Sequence, residues 1–562
     1  MHTLYKLRAC GGMLARIRMS HDARKFMRST LDCRKTQQQV FRRVIGLNSE
    51  SRFSREHGLH AGLSLQEFRN KIPIADFDAY RPYVERMKQG HQNELLGPKN
   101  PLLMFTLSSG TTSESKFIPI TKPFLEDYRA GWQIWGIHAF SDHPQLFYRN
   151  IVQLSSDYDQ FRTPGGTPCG NISGLVIAMQ RPIVKFLYTI PGLVSKISDP
   201  DLKYYTALRL SLADKYVGLV TTSNPSTLLR LAKLADQEKE SLIRDIADGT
   251  LTSSVSLDPS IQKKLRRKLT RRRPKRAKEL ERIVEQTGHL YPKDFWPFME
   301  LISVWTGGSA GAYLSLLPEY FGSVPIRDHG LSASEGRMTI PLEDNTPSGV
   351  LDVNSNFFEF IPEAEYGTNQ PTVLEAHELE PDQNYYILLT TTSGLYRYDI
   401  CDVVRCTGYF NSTPTLEFLH KGAHISNITG EKISESQVVT AVKDCTSDLP
   451  IHLGDFTLTP VWSEPPYYQL LVEQGSVVSR AIMEHLISNL DTRLQELNVE
   501  YHDKRKTGRL AQLQYITVPA GSWDRFSKKR QSGLGGSVEQ YKHPCLVPDM
   551  EFTDNFIRDF AA

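Results

Sequence analysis

Leu102 to Ile120 reads LLMFTLSSGTTSESKFIPI, and the fold follows from how its middle is understood. The apolar run Leu102–Leu107 predicts a buried strand, Ser108–Ser115 contains no bulky residue, and Lys116–Ile120 predicts a second strand. Small hydroxyl residues thus cluster at a strand end. The backbone N–H groups of such a loop, the hydroxyls of Ser108, Ser109, Thr111 and Thr112 around Gly110, and the Lys116 ammonium supply donors for a multiply charged oxyanion, best a polyphosphate. A Walker loop is excluded, since no Gly precedes Lys116 and Phe117 stands where the Mg²⁺-binding hydroxyl would be. A Ser/Thr-rich hairpin loop has the same composition, so the polyphosphate reading needs the other parts of a nucleotide site downstream.

A chain of 562 residues can build a large domain and a smaller one, each with its own core. The formal charge of +3 is too small for a global attraction to nucleic acid or membrane, so such a partner needs a local patch. The seven cysteines are scattered and contain no C-x-x-C pair, which fits reduced thiols in the cytoplasm better than a disulfide frame or a zinc site. No apolar run reaches the roughly 18 residues that span a bilayer. The first twenty residues are basic and acid-free, as in a transit peptide, but Leu4, Leu7, Leu14 and Ile17 fall near helical spacing and predict an amphipathic helix.

Further along, Ser64 is placed to cap one helix, and Thr121, with Pro123 in the first turn, to cap another that carries Trp132 and Trp135 on one face. These two rings are either core or the wall of an apolar substrate pocket. Thr163 to Gly174, TPGGTPCGNISG, reads as a loop, facing solvent or approaching a ligand. The run KKLRRKLTRRRPKRAKELER, residues 263–282, forms amphipathic helices broken near Pro274. It has no interleaved aromatic residue, so a solvated face is expected, with weak polyanion binding as the alternative.

Ile302 to Phe321 reads strand, Gly-rich turn, helix, and Gly307–Gly311 matches the G-x-S-x-G elbow with Ser309 as nucleophile. A serine hydrolase, with His329, His377 or His420 completing a triad, is therefore the competing enzyme class. After a short strand at Val324–Ile326 comes Leu331–Gly336, LSASEG, in which Ser332, Ala333 and Ser334 are small and Glu335 is placed to hold Mg²⁺ together with phosphate oxygens. Tyr385–Thr391 predicts a strand, Ser393-Gly394 a turn, and Leu395 to Val404, LYRYDICDVV, leads into the next strand. Asp402 can accept bonds from both hydroxyls of a ribose, and Arg397 can pair with an acid or a phosphate.

With these parts in order, the chain resembles the acyl acid amido synthetases of the auxin-responsive Gretchen Hagen group, relatives of acyl-CoA synthetases and luciferases. The strongest portion is Gly394 to Gln437, GLYRYDICDVVRCTGYFNSTPTLEFLHKGAHISNITGEKISESQ. The resemblance implies an α/β protein with a large N-terminal adenylation domain, residues 1–425, built of β-sheets flanked by helices plus a β-barrel. A small mobile α/β lid, residues 426–562, follows it. It further implies that Ser108, Ser109 and Thr111 contact phosphate, that Thr306 and Ser334 line the nucleotide pocket, that Glu335 binds Mg²⁺ and that Asp402 holds the ribose of ATP. Lys432 and Lys542 match lysines that swing onto the acyl phosphate. Ser113, Ser115 and Leu331 depart from the family pattern, which has Gly, Pro and an adenine-stacking aromatic residue at these places.

The implied reaction is ATP-dependent ligation. A carboxylate is anionic and lacks a leaving group, so transfer of AMP to it, with release of pyrophosphate, precedes attack by an amine, typically an amino acid. A thiol acceptor, giving an acyl-CoA synthetase, is the variant reading. The acyl acid and amine substrates are small molecules; neither a specific nucleic acid nor a membrane span is expected.

Overall fold

The computed structural model describes residues 21–108, 116–180, 182–252, 256–307, 314, 316–422, 425–446, 453–474, 479–526, 529 and 544–560. Two compact units result; the described residues up to Leu107 and from Phe117 to His420 form the first, and Ser108, Lys116 and the described residues from Lys421 on form the second.

In the first unit the strands Asn150–Gln153, Val217–Thr221, Leu301–Val304 and Ile326–Asp328 pair in that order, all parallel. VGLVT and LISV show no polar alternation because both sheet faces are covered, and every residue of the two strands is buried. Leu102–Ser108 lies between Lys116–Thr121 and the parallel strand Pro168–Gly170, so the strands expected on either side of the polar loop are both present. Part of the segment expected as a loop at 163–174 is consequently that third strand. Gly170 is required there, since a Cβ would meet the Asp157 carbonyl at 2.5 Å.

A seven-stranded sheet runs in the order Thr339–Ile340, Gly349–Leu351, Thr413–Lys421, Tyr398–Phe410, Asn384–Thr390, Phe357–Pro362, Leu374–Glu375. Helix Cys33–Leu47 is stitched to this sheet by buried Gln37, whose Nε2 donates to the carbonyls of Val353 and Asn356 while its Oε1 accepts from Phe358 N. An apolar residue in place of Gln37 would leave the backbone partners of these three hydrogen bonds unpaired.

Both expected caps form. Ser64 Oγ accepts Glu67 N at 3.2 Å and Ser64 N donates back to the Glu67 carboxylate at 3.0 Å, closing a capping box on Leu65–Lys71. Thr121 Oγ1 accepts Phe124 N at 3.3 Å and starts the helix Lys122–Asp142. Gly131 of that helix admits the Arg337 side chain, which a Cβ would contact at 2.6 Å. Asp352 is buried nearby, and its carboxyl is pushed from an ordinary 3.8 up to about 7 by burial, against the pull of Arg337. The folded chain therefore keeps this proton over a pH range in which the unfolded chain has released it, and stability falls as pH rises towards 7. Asp352→Asn should accordingly raise the melting temperature more at pH 8 than at pH 5; an equal gain at both would refute this account of the burial.

The second unit has the sheet Phe456–Val461, Tyr467–Glu473, Gln514–Val518, antiparallel then parallel. Helices Glu435–Thr446 and Arg480–Leu497 cover it, burying Val438, Leu470, Leu486 and Leu490 in one cluster. Trp523, Phe526 and Phe556 make a second. Among the described residues the cysteines are unbridged, and no helix is long and apolar enough to cross a membrane.

Candidate functional site

Parallel strands deliver their carboxyl ends to one side of a sheet, where ligands of open α/β folds bind. Leu301–Val304 and Ile326–Asp328 are adjacent, with Val304 opposite Asp328, so Trp305-Thr306 and His329-Gly330 leave the sheet side by side. Asp328 fixes both exits. Its Oδ2 accepts Thr306 N at 2.5 Å and Thr306 Oγ1 at 2.6 Å, and its Oδ1 accepts Gly330 N at 2.5 Å. Burial pushes the Asp328 carboxyl up while these donors pull it down. Gly330 has φ +84°, and a Cβ would strike the Thr339 carbonyl at 2.3 Å, so only glycine makes this turn.

The tryptophans of helix Lys122–Asp142 brace the same corner. Trp135 Nε1 donates to the Asp328 carbonyl at 2.8 Å, and Trp132 lies edge-on to His329 with ring centres 5.0 Å apart. The Arg337 guanidinium covers the Trp132 ring at 4.5 Å and donates to the His329 carbonyl at 2.6 Å. His329 is sealed beneath them, within hydrogen-bonding distance of Thr221 Oγ1 at 2.9 Å, and burial, then Arg337, pushes its imidazole down to about 3. Enclosed under these side chains and engaged by Thr221, His329 has no open approach for a serine and its substrate, which counts against the triad role expected of it. Ser309 itself lies outside the described residues, and the helix after the turn is short, Leu317–Phe321.

Ser332–Ala333 and Gly336–Arg337 pair antiparallel, so LSASEG is a hairpin whose two-residue turn is Ser334-Glu335. Glu335 is only 6% exposed. Gly336 presses on Asn356, whose Nδ2 a Cβ would meet at 2.5 Å, and this holds the turn against the seven-stranded sheet. Tyr398 of that sheet is fully buried beside the Glu335 carboxylate, and its hydroxyl is held well above its ordinary 10 by burial first and Glu335 next, with smaller contributions from Asp76 and Cys401. Tyr398 thus stays neutral beside these acids.

From Tyr398 the strand runs into an irregularity that presents Asp402. Leu388 pairs with Asp399 and Tyr386 with Val403, so one residue, Ile387, faces three, Ile400 to Asp402. Such a bulge kinks the strand and re-aims side chains. Cys401 takes φ 56° at its centre, and its N–H donates to Asp399 Oδ1 at 2.7 Å. Tyr366 OH donates to Asp399 Oδ2 at 2.6 Å. Tyr398, four residues before Asp402 on the same strand, thus lies beside the Glu335 turn. Asp402 is buried, 2% exposed.

The turn after Asn384–Thr390 is clamped from behind. Asn48 and Asn100 both donate to the Thr392 carbonyl, and Gly394, φ +83°, leaves room for the Leu95 carbonyl, which a Cβ would meet at 2.6 Å. Arg397, however, does not face a phosphate. Its Nε donates to Glu359 at 3.1 Å and its Nη1 to the Ile72 carbonyl at 2.8 Å, while Glu359 also binds Arg69 at 2.8 Å. Of the two partners expected for it, Arg397 has the acid, and the guanidinium is consumed in a buried bracket that ties residues 69–72 to the sheet.

The remaining expected positions fall as follows. Thr306 commits its hydroxyl to Asp328, which makes it a positioning residue for the strand end. Ser108 ends its strand and Lys116, half-buried, begins the next. Ser109, Gly110, Thr111, Thr112 and Lys542 lie outside the described residues. Lys432, in the second unit, sits with φ 48° in a turn built around buried Glu431. That carboxylate accepts Ile428 N, Thr429 N and Thr429 Oγ1, each at 2.7 Å, and Tyr468 OH at 2.5 Å. Asn498 Nδ2 holds the Glu431 carbonyl at 2.9 Å. Sequence reading passed over Asp328, Tyr398, Glu359 and Glu431. An acid followed by His-Gly at a strand end was a usable signal for Asp328.

Among the described residues no three His, Cys, Asp or Glu side chains are grouped to hold a metal. Glu335 alone is a hard oxygen donor of the kind Mg²⁺ takes when phosphates and water complete its shell, so the residue present fits that ion.

Comparison with known proteins gives three domain matches in sequence order. The GH3 family N-terminal domain covers residues 22–326, the GH3 family central domain 349–421 and the GH3 family C-terminal domain 436–551. The jasmonoyl–L-amino acid synthetase JAR6 of Nicotiana attenuata is 25% identical over 548 residues, covering 92% of each chain. The indole-3-acetic acid-amido synthetase GH3.3 of Arabidopsis thaliana is 24% identical over 554 residues, covering 92% of this chain and 91% of its own. Among solved structures, the GH3.15 acyl acid amido synthetase superposes with a TM-score of 0.64 at 22% identity, over 95% of both chains. The same enzyme in complex with 2,4-DB gives 0.65 at 21%, over 97% of this chain and 96% of that one.

Proposed function

The chain belongs to the GH3 family, and from that premise we propose that it is an ATP-dependent ligase that converts a carboxylic acid into its acyl adenylate and passes the acyl group to an amine, an amino acid in the first instance. The observation that best supports this is buried Glu335 in its hairpin turn beside Tyr398, on the strand whose bulge carries buried Asp402.

Ser108, Ser109, Gly110, Thr111, Thr112 and Lys116 receive the phosphates of ATP, with Thr306, Ser332, Ala333 and Ser334 along the nucleotide. Asp402 accepts from the ribose hydroxyls. Glu335 is the ligand for Mg²⁺, which when bound supplies positive charge beside the phosphates as pyrophosphate leaves. Asp328 keeps Thr306 and Gly330 in place, and Tyr398 orients the Glu335 carboxylate. Lys432 and Lys542 neutralise the acyl phosphate, one in each half-reaction. In the first half-reaction a substrate carboxylate oxygen bonds to the innermost phosphorus of ATP and the bond to pyrophosphate breaks. In the second, the amine attacks the acyl carbon, loses a proton and expels AMP.

A panel of carboxylic acids, each assayed for ATP-dependent pyrophosphate release, should reveal at least one that stimulates release, and the best of them with a panel of amino acids should give an amide detectable by mass. An acid-stimulated release followed only by thioester formation with coenzyme A would overturn the choice of amine. Labelling by a fluorophosphonate probe without ATP, and no release with any acid, would overturn the ligase.

A further inference from the structure

The charge run of residues 263–282 folds into two helices, Pro259–Leu269 and Pro274–Thr287. It holds twelve Lys or Arg against two Glu, a net +10 in a chain whose total is +3, so the rest of the chain is net −7. Helical spacing turns Ile261, Leu265, Leu269 and Leu280 into the core. Part of the charge is spent inside. Buried Arg276 donates to the carbonyls of Leu212 at 3.0 Å and Phe295 at 2.6 Å, Arg273 donates to the Ala213 carbonyl at 3.0 Å, and Glu279 turns to Arg276 and Lys215.

The rest faces water. Lys263, Lys264, Arg266 and Arg267 of the first helix, and Lys275 and Lys278 of the second, are exposed, and among the described residues none of them is in an ion pair. Exposed Glu281 and Glu285 lie farther along the second helix, so the positive excess is greatest on the first, where such like charges on a rigid face concentrate small anions that a polyanion displaces on binding.

The neighbourhood selects the polyanion. The first basic helix packs on the turn Gly192–Lys196, and that turn packs on helix Ile172–Ala178, close enough that a Cβ on Gly192 would meet Ile177 at 2.6 Å. At the end of that helix stands Met179, 45% exposed, and shortly after it Phe186, at 79% the most exposed large apolar side chain among the described residues. Nucleic acid offers no reason for an exposed Phe and Met just after the helix that shares a packing turn with the basic helix, nor is there an aromatic residue between the cations for bases to stack on. A lipid surface does: apolar side chains enter the headgroup boundary while Lys and Arg stay at the plane of the phosphates.

We propose that the exposed cations of 259–287, with Met179 and Phe186, form a docking surface for an anionic lipid bilayer, on which the chain rests peripherally. The full-length protein is to be sedimented with vesicles of phosphatidylcholine and with vesicles containing about a third phosphatidylserine, a composition that sets a negative surface potential. Binding should require the anionic lipid and weaken as salt is added. The variant K263E/K264E/R266E/R267E should bind about a hundredfold more weakly, and Phe186→Ser about tenfold, each with unchanged melting temperature and unchanged activity without vesicles. Equal binding to both vesicle types would overturn the proposal. So would tight binding to duplex DNA with none to anionic vesicles, or anionic binding that Phe186→Ser leaves untouched.

Discussion

Glu335→Ala loses about a hundredfold or more of ATP-dependent pyrophosphate release, the expected scale when one preorganised charge-stabilising group is removed. The expectation rests on where the side chain is. It occupies the two-residue turn of a hairpin, is 6% exposed, and shares its pocket with a neutral tyrosine hydroxyl. Alanine at that place removes the one hard oxygen donor proposed for the divalent ion and leaves the Tyr398 hydroxyl facing a hole. Glu335→Gln separates the two effects, since the amide can still meet Tyr398 but has no charge to offer Mg²⁺. Its rate should be as low as that of the alanine variant at limiting Mg²⁺ and recover in part when Mg²⁺ is raised. Initial rates at several Mg²⁺ concentrations, with melting curves to show that the variants fold, provide the check. Undiminished release by a folded Glu335→Ala protein would remove Glu335 from the site.

Glu359→Ala should destabilise the first unit by about 3–5 kcal/mol, because it strands buried guanidinium charge rather than because a favourable pair is lost. Glu359 is 1% exposed and takes Arg69 on one oxygen and Arg397 on the other. Arg69 keeps partial access to water, with a side chain 21% exposed, but Arg397 is 7% exposed and cannot turn outward. The apolar double replacement Glu359→Leu with Arg397→Met should therefore recover most of what the single variant loses. Denaturant midpoints for the single and double variants test the cycle. A loss below about 1 kcal/mol in Glu359→Ala would show that water reaches the guanidinium. The same data bear on function, because unaltered pyrophosphate release by a folded Arg397→Met protein is what a structural bracket requires and a phosphate ligand forbids.

Composition, spacing and local chemistry by themselves determined a good deal. The apolar runs at 102–107 and from 302 marked two buried strands before their partners were known, since a sheet covered on both faces tolerates such runs. Ser64 and Thr121 announced their helices, because a cap satisfies backbone groups within three residues and needs nothing from elsewhere in the chain. Glu335 was legible as a carboxylate in a loop of small residues after a strand, and Leu265, Leu269 and Leu280 as the inner side of basic helices. What tertiary structure alone decided were the partners that lie far apart along the chain. Arg397 offered a choice of acid or phosphate until folding placed Glu359 beside it, 38 positions away. His329 was a base until Trp132 and Arg337 closed over it. The two extra residues at Ile400–Asp402 that aim Asp402 became visible only through the register of Tyr386 and Leu388 across the sheet. Local rules govern groups that satisfy one another within a turn or two. The protonation, orientation and availability of a buried charge are set by neighbours that only the folded chain brings within reach.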